Sequence, residues 1–370
     1  MNSQRLKTKI AGLELASPVL TASGCGGTGR ELAQFCELTR LGAFVTTSVM
    51  ARPRAGRPTP RVAETPSGIL TAMGLPGPGV EGFLEHELPW LAEQGVPVVV
   101  SVAGNSAEEF AELAARLSGE PGVAAIEVNV ACPNVADRGR MFAWHPGAAA
   151  AVVRAVRGAA PAGVPVIAKL TPDVTDIVTI ALACVDAGAD ALTLINTVEG
   201  MAIDHRTLRP AVTGVSGGLS GPAIRPIALR CVYQVHAALP RTPIIGCGGV
   251  ATGLDALEYV LAGASAVAVG TTLFHDPGAV PRIARELDEA LAARRIERLA
   301  DAVGLAHRPA GHAPPQVRPA TPPPPHTAPQ TAPAAVPPAR EAAEAPAASG
   351  RPAEPDPAPA PAAEVKERTP

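Results

Sequence analysis

The stretch PVIAKLTPDVTDIVTIALACVDAGADALTLIN (165–196) reads as strand, helix, strand. PVIAKL (165–170) and DALTLIN (190–196) are continuous apolar runs, the pattern of parallel strands buried on both faces. Between them, TDIVTIALACVDAG (175–188) starts at a capping Thr and stops at Gly, as a helix does. The same unit recurs in both directions along the chain. Further strands are expected at PVLTAS (18–23), AFVTTS (43–48), PVVVSVA (97–103), VAAIEVNV (123–130), PIIGCG (243–248) and SAVAVG (265–270). Further helices are expected at SAEEFAELAARL (106–117), PGAAAAVVRAVRG (146–158) and TGLDALEYVLAG (252–263). Eight β/α units in roughly 280 residues predict a closed (β/α)8 TIM barrel. A doubly wound open sheet would show fewer strands and a ligand fingerprint at a switch point.

GCGGTG (24–29) matches G-x-G-x-x-G after a strand. A dinucleotide fold would then need an acidic residue at the end of the next strand, which instead delivers Thr46-Thr47-Ser48. These glycines are read as a loop that lets a flat ligand approach the backbone. The segment TKIAGLEL (8–15) is expected to form a hairpin closing the barrel bottom. Two long connections, 49–96 and 197–221, follow strand C-termini, where barrels build their sites.

The composition changes near residue 308. From there to Pro370 the chain is mostly Pro, Ala, Glu, Arg, Thr and His, without apolar periodicity. The expected division is a barrel domain over 1–307 and a disordered, partly polyproline tail over 308–370. The tail is read first as a dispensable extension, second as a tether or docking arm.

With 370 residues and 47% hydrophobic residues, the chain can bury a full core. A net charge of −3 and 3% aromatics point away from nucleic acid and from acidic membranes. The six cysteines are scattered without a C-x-x-C pair, so neither a disulfide framework nor a zinc site is expected. The N-terminus has no apolar signal region, and the longest strongly apolar run, VPVVVSVAG (96–104), cannot span a bilayer. The expectation is a soluble cytoplasmic protein with reduced thiols.

In a barrel, the residues that matter stand where strands stop. Here these are Ser23, Thr47, Ser101, Asn129 to Cys132, Lys169, Asn196, Gly248–Gly249 and Gly270–Thr271. The set is rich in amides, with one cation and one thiol. Paired carboxylates and His clusters are missing from it, which disfavours glycosidase and metal-hydrolase chemistry. No metal site is expected. GCGGVATG (246–253) and VGTTLF (269–274) offer open backbone N–H groups after two neighbouring strands, a phosphate signal. Either an ordinary surface Lys or a cation facing an electron-rich cofactor edge would account for Lys169. Asn129, Asn134 and Asn196 suit a planar ligand with amide edges, such as a pyrimidine. In IEVNVACPN (126–134) a strand stops by presenting Cys132 between two Asn residues. Cys184, Cys231 and Cys36 read as buried hydrophobes, whereas Cys132 reads as a nucleophile or a general base.

Taken together, RPTPRVAETPSG (57–68), NVACPN (129–134), AKLTPDVTDI (168–177), INTVEGM (195–201), GGLSGPAIRP (217–226), GCGGV (246–250) and AVAVGT (266–271) resemble dihydroorotate dehydrogenase. The resemblance is to class 1, and within it to the catalytic subunit of the NAD-linked 1B branch. It covers nearly all of residues 5–300. It implies an FMN barrel that oxidises dihydroorotate to orotate in pyrimidine biosynthesis, with Cys132 as base and hydride transfer to FMN. FMN would be held by Ser23, Thr47, Asn129, Lys169, Ile195, Gly221, Gly248, Gly249, Gly270 and Thr271. Substrate would be held by Thr71, Gly74, Leu75, Asn129, Asn134, Asn196 and Thr197. NVADRGRMF (134–142) would be a lid. A separate FAD and iron–sulfur subunit linking to NAD, and a homodimer, are implied as partners.

The chain departs from the family at the substrate site. Thr47 stands where the family has Lys, and Thr71 where it has Asn. Ser101 replaces Asn, and Val198-Glu199 replaces Leu-Leu. Two lost polar partners at about 1–3 kcal/mol each amount to roughly two to four decades in kcat/KM if unreplaced. The alternatives are therefore an FMN oxidoreductase of the same barrel acting on a different cyclic amide or dihydropyrimidine, and a non-catalytic paralogue.

Overall fold

In the computed structural model of the protein, residues 4–131, 133, 134 and 140–309 are described. The expected barrel is present. Its strands are β1 (Val19–Thr21), β2 (Phe44–Val45), β3 (Val98–Val102), β4 (Val123–Asn129), β5 (Val166–Leu170), β6 (Ala191–Leu194), β7 (Ile244–Cys247) and β8 (Ala266–Val269). All their ladders are parallel, and consecutive strands are neighbours around the sheet, with β8 returning to β1. The seam between β1 and β2 is closed by Gly42 N–H donating to Val19 O at 2.8 Å and Val45 N–H donating to Thr21 Oγ1 at 2.8 Å.

Side chains alternate across this wall, as strand geometry requires. Val19, Phe44, Val98, Ile126, Val166, Leu192, Ile244 and Val267 pack outward against the helices. Leu20, Val45, Val99, Ala125, Ile167, Ala191, Ile245 and Ala266 fill the interior. The helices are α1 (Ala107–Leu117), α2 (Pro146–Ala159), α3 (Ile177–Asp186), α4 (Arg225–Ala238), α5 (Gly253–Ala262) and α6 (Ala279–Ala293), with a short helical turn after β1 and a continuous helical run over 79–93 after β2. Ser106 caps α1, and Thr252 with Asp255 forms a capping box on α5. Asp176, rather than Thr175, caps α3, its Oδ1 accepting from Val178 N–H at 2.9 Å.

The hairpin Thr8–Ile10/Leu13–Leu15 forms as expected, and Ile10 and Leu15 join the interior cluster from below. The two long connections do something the sequence reading did not anticipate. They pair with each other in an antiparallel sheet of Val62–Thr65, Gly68–Thr71, Gly217–Ser220 and Val198–Gly200. This sheet lies beside the C-terminal ends of the barrel strands, where a site would be. Among the described residues no helix is long and apolar enough to cross a membrane. The expected tail lies outside the described residues, apart from Arg308 and Pro309.

Candidate active site

The inward face of the barrel changes character along each strand. Ile167 is followed by Lys169, Ala125 by Glu127 and Asn129, Ala191 by Thr193, Val99 by Ser101 and Val45 by Thr47. Two-residue periodicity keeps each of these on the same face, so the upper interior is polar while the lower one is apolar. Above it opens a cleft of about 830 Å³. Of the predicted residues, Ser23, Thr47, Thr71, Gly74, Leu75, Asn129, Lys169, Asn196 and Thr197 line it. A smaller cavity of about 300 Å³ shares Thr47, Ser48 and Leu75 as its wall.

The two amides and two serines form one chain of hydrogen bonds across four strand ends. Asn196 Nδ2 donates to Asn129 Oδ1 at 3.2 Å, and Asn129 Nδ2 donates to Ser48 Oγ at 3.1 Å. Ser48 Oγ lies 3.0 Å from Ser101 Oγ, and Thr197 N–H donates to Asn196 Oδ1 at 2.8 Å. Ser48 is thus a site residue that sequence reasoning missed, although it ends the same strand as Thr47. The chain fixes both Asn side chains, which presents defined donor and acceptor edges to a ligand. Thr71 Oγ1 donates to Gly218 O at 3.4 Å, tying the 71–75 turn to the second long connection.

Lys169 is buried, with 5% of its surface exposed, and its Nζ is 3.7 Å from Glu127 Oε1. Burial alone would lower the lysine's pKa. The Glu127 carboxylate reverses this and holds it above the ordinary lysine value. Lys169 is therefore an ammonium at neutral pH in the barrel interior. Glu127 was not anticipated as its partner. The signal was its parity with Asn129 on β4, which puts both side chains inward. Burial pushes the Cys25 thiol up to about 12 and raises that of Cys247, so neither is a thiolate near neutral pH. Cys184 and Cys231 are buried as expected, while Cys36 is only partly covered. No histidine lines the cleft among the described residues.

The phosphate-type turns come together, next to the cleft rather than in its lining. Gly248 and Gly249 have left-handed φ of +135° and +68°, and Gly221 has +96°. A Cβ on Gly249 would sit 2.8 Å from Gly221 O, and one on Gly221 would sit 3.5 Å from Thr271 Cγ2. Thr271 Oγ1 donates to Ser220 Oγ at 2.9 Å. Among the described residues the N–H groups of Gly248, Gly249 and Thr271 reach no backbone carbonyl. Three open amides converging without side chains form an anion cradle. The strand Gly217–Ser220 runs between cleft and cradle, and Ile195 is buried close by, its N–H donating to Cys247 O at 2.9 Å.

Cys132 lies outside the described residues; it follows Ala131, which lines the cleft. The side chain of Asn134 lies outside them too. Its backbone pairs with Arg140 in a short antiparallel ladder at the start of the expected lid. Residues 135–139 of that lid are also outside.

Comparisons with known proteins agree with this arrangement. The family model described as dihydroorotate dehydrogenase matches residues 5–291. The "Dihydroorotate dehydrogenase B (NAD(+)), catalytic subunit" of Desulforudis audaxviator is 53% identical over 302 residues, covering 82% of this chain and 97% of that protein. Its namesake from Geobacter sp. (strain M21) is 50% identical over 304 residues, covering 82% of this chain and 99% of that protein. The one from Pelobacter propionicus is 49% identical over 299 residues, covering 81% and 97%. The matched span runs from the bottom hairpin through all eight strands, the amide-lined cleft and the glycine cradle, and the chain belongs to the dihydroorotate dehydrogenase family.

Proposed function

We propose that the chain is a dihydroorotate dehydrogenase catalytic subunit that oxidises (S)-dihydroorotate to orotate in pyrimidine biosynthesis, using FMN. The observation that carries this is the cleft fixed by Asn129 and Asn196 lying against the open cradle of Gly221, Gly248, Gly249, Gly270 and Thr271 at the mouth of one barrel. The cradle fits a phosphate because its amides are unanswered and a Cβ at Gly249 would close it. The FMN phosphate would sit there. Ser23, Thr47, Asn129, Lys169 and Ile195 would hold the ring system, and Lys169 would supply a positive charge to it. When bound, FMN supplies the hydride acceptor. Asn129, Asn134, Asn196, Thr197 and the turn Thr71–Gly74–Leu75 orient the substrate ring. Cys132, next in the chain after a cleft residue, takes the proton from C5 as general base.

The relatives' names carry "NAD(+)" and "catalytic subunit". These words support a separate electron-transfer subunit linking the chain to NAD; that this partner carries FAD and an iron–sulfur cluster, and that the chain is a cytoplasmic homodimer, rests on the family resemblance alone. Residues 1–307 serve as the catalytic domain and 308–370 as an appended tail. One observation favours a second reading: Thr47 and Thr71 line the cleft without charge, which suits a neutral dihydropyrimidine on the same barrel.

The test is anaerobic. The purified full chain is expected to be yellow and to be bleached by dihydroorotate within seconds. A flavin bleached by dithionite but not by dihydroorotate would replace the substrate, and a colourless protein that cannot be reconstituted would replace the enzyme reading altogether. The Cys132→Ala variant is expected to keep its flavin and to be reduced roughly 10²–10⁴-fold more slowly.

A further inference from the structure

Dihydroorotate is a carboxylate, and the polar lining of the cleft offers little positive charge to receive it. Among the described residues lining it, only Lys169 and Arg57 are cations, against the carboxylates of Asp173 and Glu199. Lys169 is answered by Glu127 in the barrel interior. Arg57 is exposed at the rim, and no acid or hydrogen-bond acceptor among the described residues takes its guanidinium.

Its position is nevertheless defined. Arg57 N–H donates to Met73 O at 2.9 Å, which docks its backbone against the 71–75 turn. A Cβ on Gly74 would lie 2.8 Å from Arg57 Cγ, and a Cβ on Gly214 would lie 2.8 Å from Arg57 Nη1. Gly74 and Gly214 both line the cleft, from the two different long connections. Both have left-handed φ, +75° and +87°, so each lacks a side chain where the arginine passes. The stem thus crosses one glycine and the head lies over the other, spanning the cleft mouth beside the turn assigned to substrate.

We propose that Arg57 is the specificity residue that receives the substrate carboxylate, through the paired N–H fork that guanidinium offers a carboxylate. This rests on the dihydroorotate reading above. Thr47, just past the end of β2, brings no charge to the cleft, and the charge is supplied instead from the first long connection. The consequence is selection for the acid over an uncharged ring of the same shape.

The experiment compares the flavin-loaded full chain with its Arg57→Ala and Arg57→Lys variants, using dihydroorotate and its neutral methyl ester as reductants and orotate as the titrant. Arg57→Ala is expected to weaken orotate binding about 10–100-fold and to slow reduction by limiting dihydroorotate by a similar factor. Reduction by the ester should stay within about twofold of wild type, because it has no charge for Arg57 to receive. Arg57→Lys should fall between, and the salt dependence of orotate binding should flatten in Arg57→Ala. An Arg57→Ala protein that binds orotate as wild type does overturns the inference while leaving the dihydroorotate reading standing. A wild type that reacts equally with acid and ester overturns it without any variant. A wild-type flavin that neither acid nor ester reduces, and that orotate does not perturb, removes the reading and the inference together.

Discussion

Glu127 and Lys169 are inward neighbours on β4 and β5, and each explains why the other can be buried. Glu127 Oε2 accepts from Thr193 Oγ1 at 3.0 Å, whereas Oε1 has no hydrogen-bond partner and faces the ammonium at 3.7 Å. The Glu127→Gln change keeps the Thr193 contact and removes the charge. Breaking a buried pair in this way is expected to cost about 3–5 kcal/mol, because the remaining charge is stranded. The folded chain holds the Lys169 proton more tightly than the unfolded chain does. Its contribution is therefore complete below the ordinary lysine range, about pH 10.4, and fades as pH rises through the raised value. In the variant, burial pulls the lysine the other way, and its penalty is relieved at high pH. Urea unfolding of both proteins from pH 7 to 11 should show a stability gap that is widest at neutral pH and narrows above 10. A constant gap would mean that the pair is not what stabilises this interior. The same pair shows the reach of sequence reading at this scale. The strand phase of Lys169 was legible in PVIAKL, but its partner depends on the register Lys169↔Asn129, Ile167↔Glu127, a relation between strands 40 residues apart.

The elements that make the cradle are turns, and turns are where a single Cβ acts most strongly. Gly249 combines φ of +68° with a Cβ position 2.8 Å from Gly221 O and 2.9 Å from Arg225 Cβ. Behind it, Asp255 on α5 accepts from Ala251 N–H at 3.0 Å and Thr252 N–H at 2.9 Å and pairs with Arg225, so the turn has little room to yield. Gly249→Ala is expected to cost roughly 1–3 kcal/mol through backbone strain and to lower FMN affinity by at least about tenfold. Flavin content after dialysis, with the circular dichroism spectrum as a folding control, checks this; full flavin retention would move the phosphate elsewhere. At this scale the sequence was a good guide to the barrel, since all eight expected strands form where apolar runs predict. It was a poor guide to the sheet above it. VAETPSGILT (62–71) does place Pro-Ser-Gly, a turn signal, between two short runs that contain β-branched residues. GGLS (217–220) carries no strand propensity and becomes a strand only because Gly68–Thr71 pairs with it.

In the whole molecule, stability and chemistry are placed at opposite ends of the barrel. Polar residues collect above Ile167 and Ala125, while below them the interior is apolar and is sealed by the N-terminal hairpin. Ile10 and Leu15 are each 2% exposed and are the hairpin's contribution to that seal. Truncating either to Ala removes buried methyl groups from a packed interior, which typically costs about 2–5 kcal/mol. Neither touches the cleft or the cradle, and barrels carry function at the face where the strands end. Ile10→Ala and Leu15→Ala should therefore lower the urea midpoint, with flavin content and the rate of flavin reduction per folded molecule unchanged. The m-value should also hold, because the surface exposed on unfolding is the same. A variant as stable as wild type would show the hairpin to be an appendage rather than a floor. A folded variant with slowed reduction would show that the rigidity of the barrel floor reaches the Lys169–Glu127 layer at the base of the cleft, and the division of labour along the barrel axis would fail at that layer.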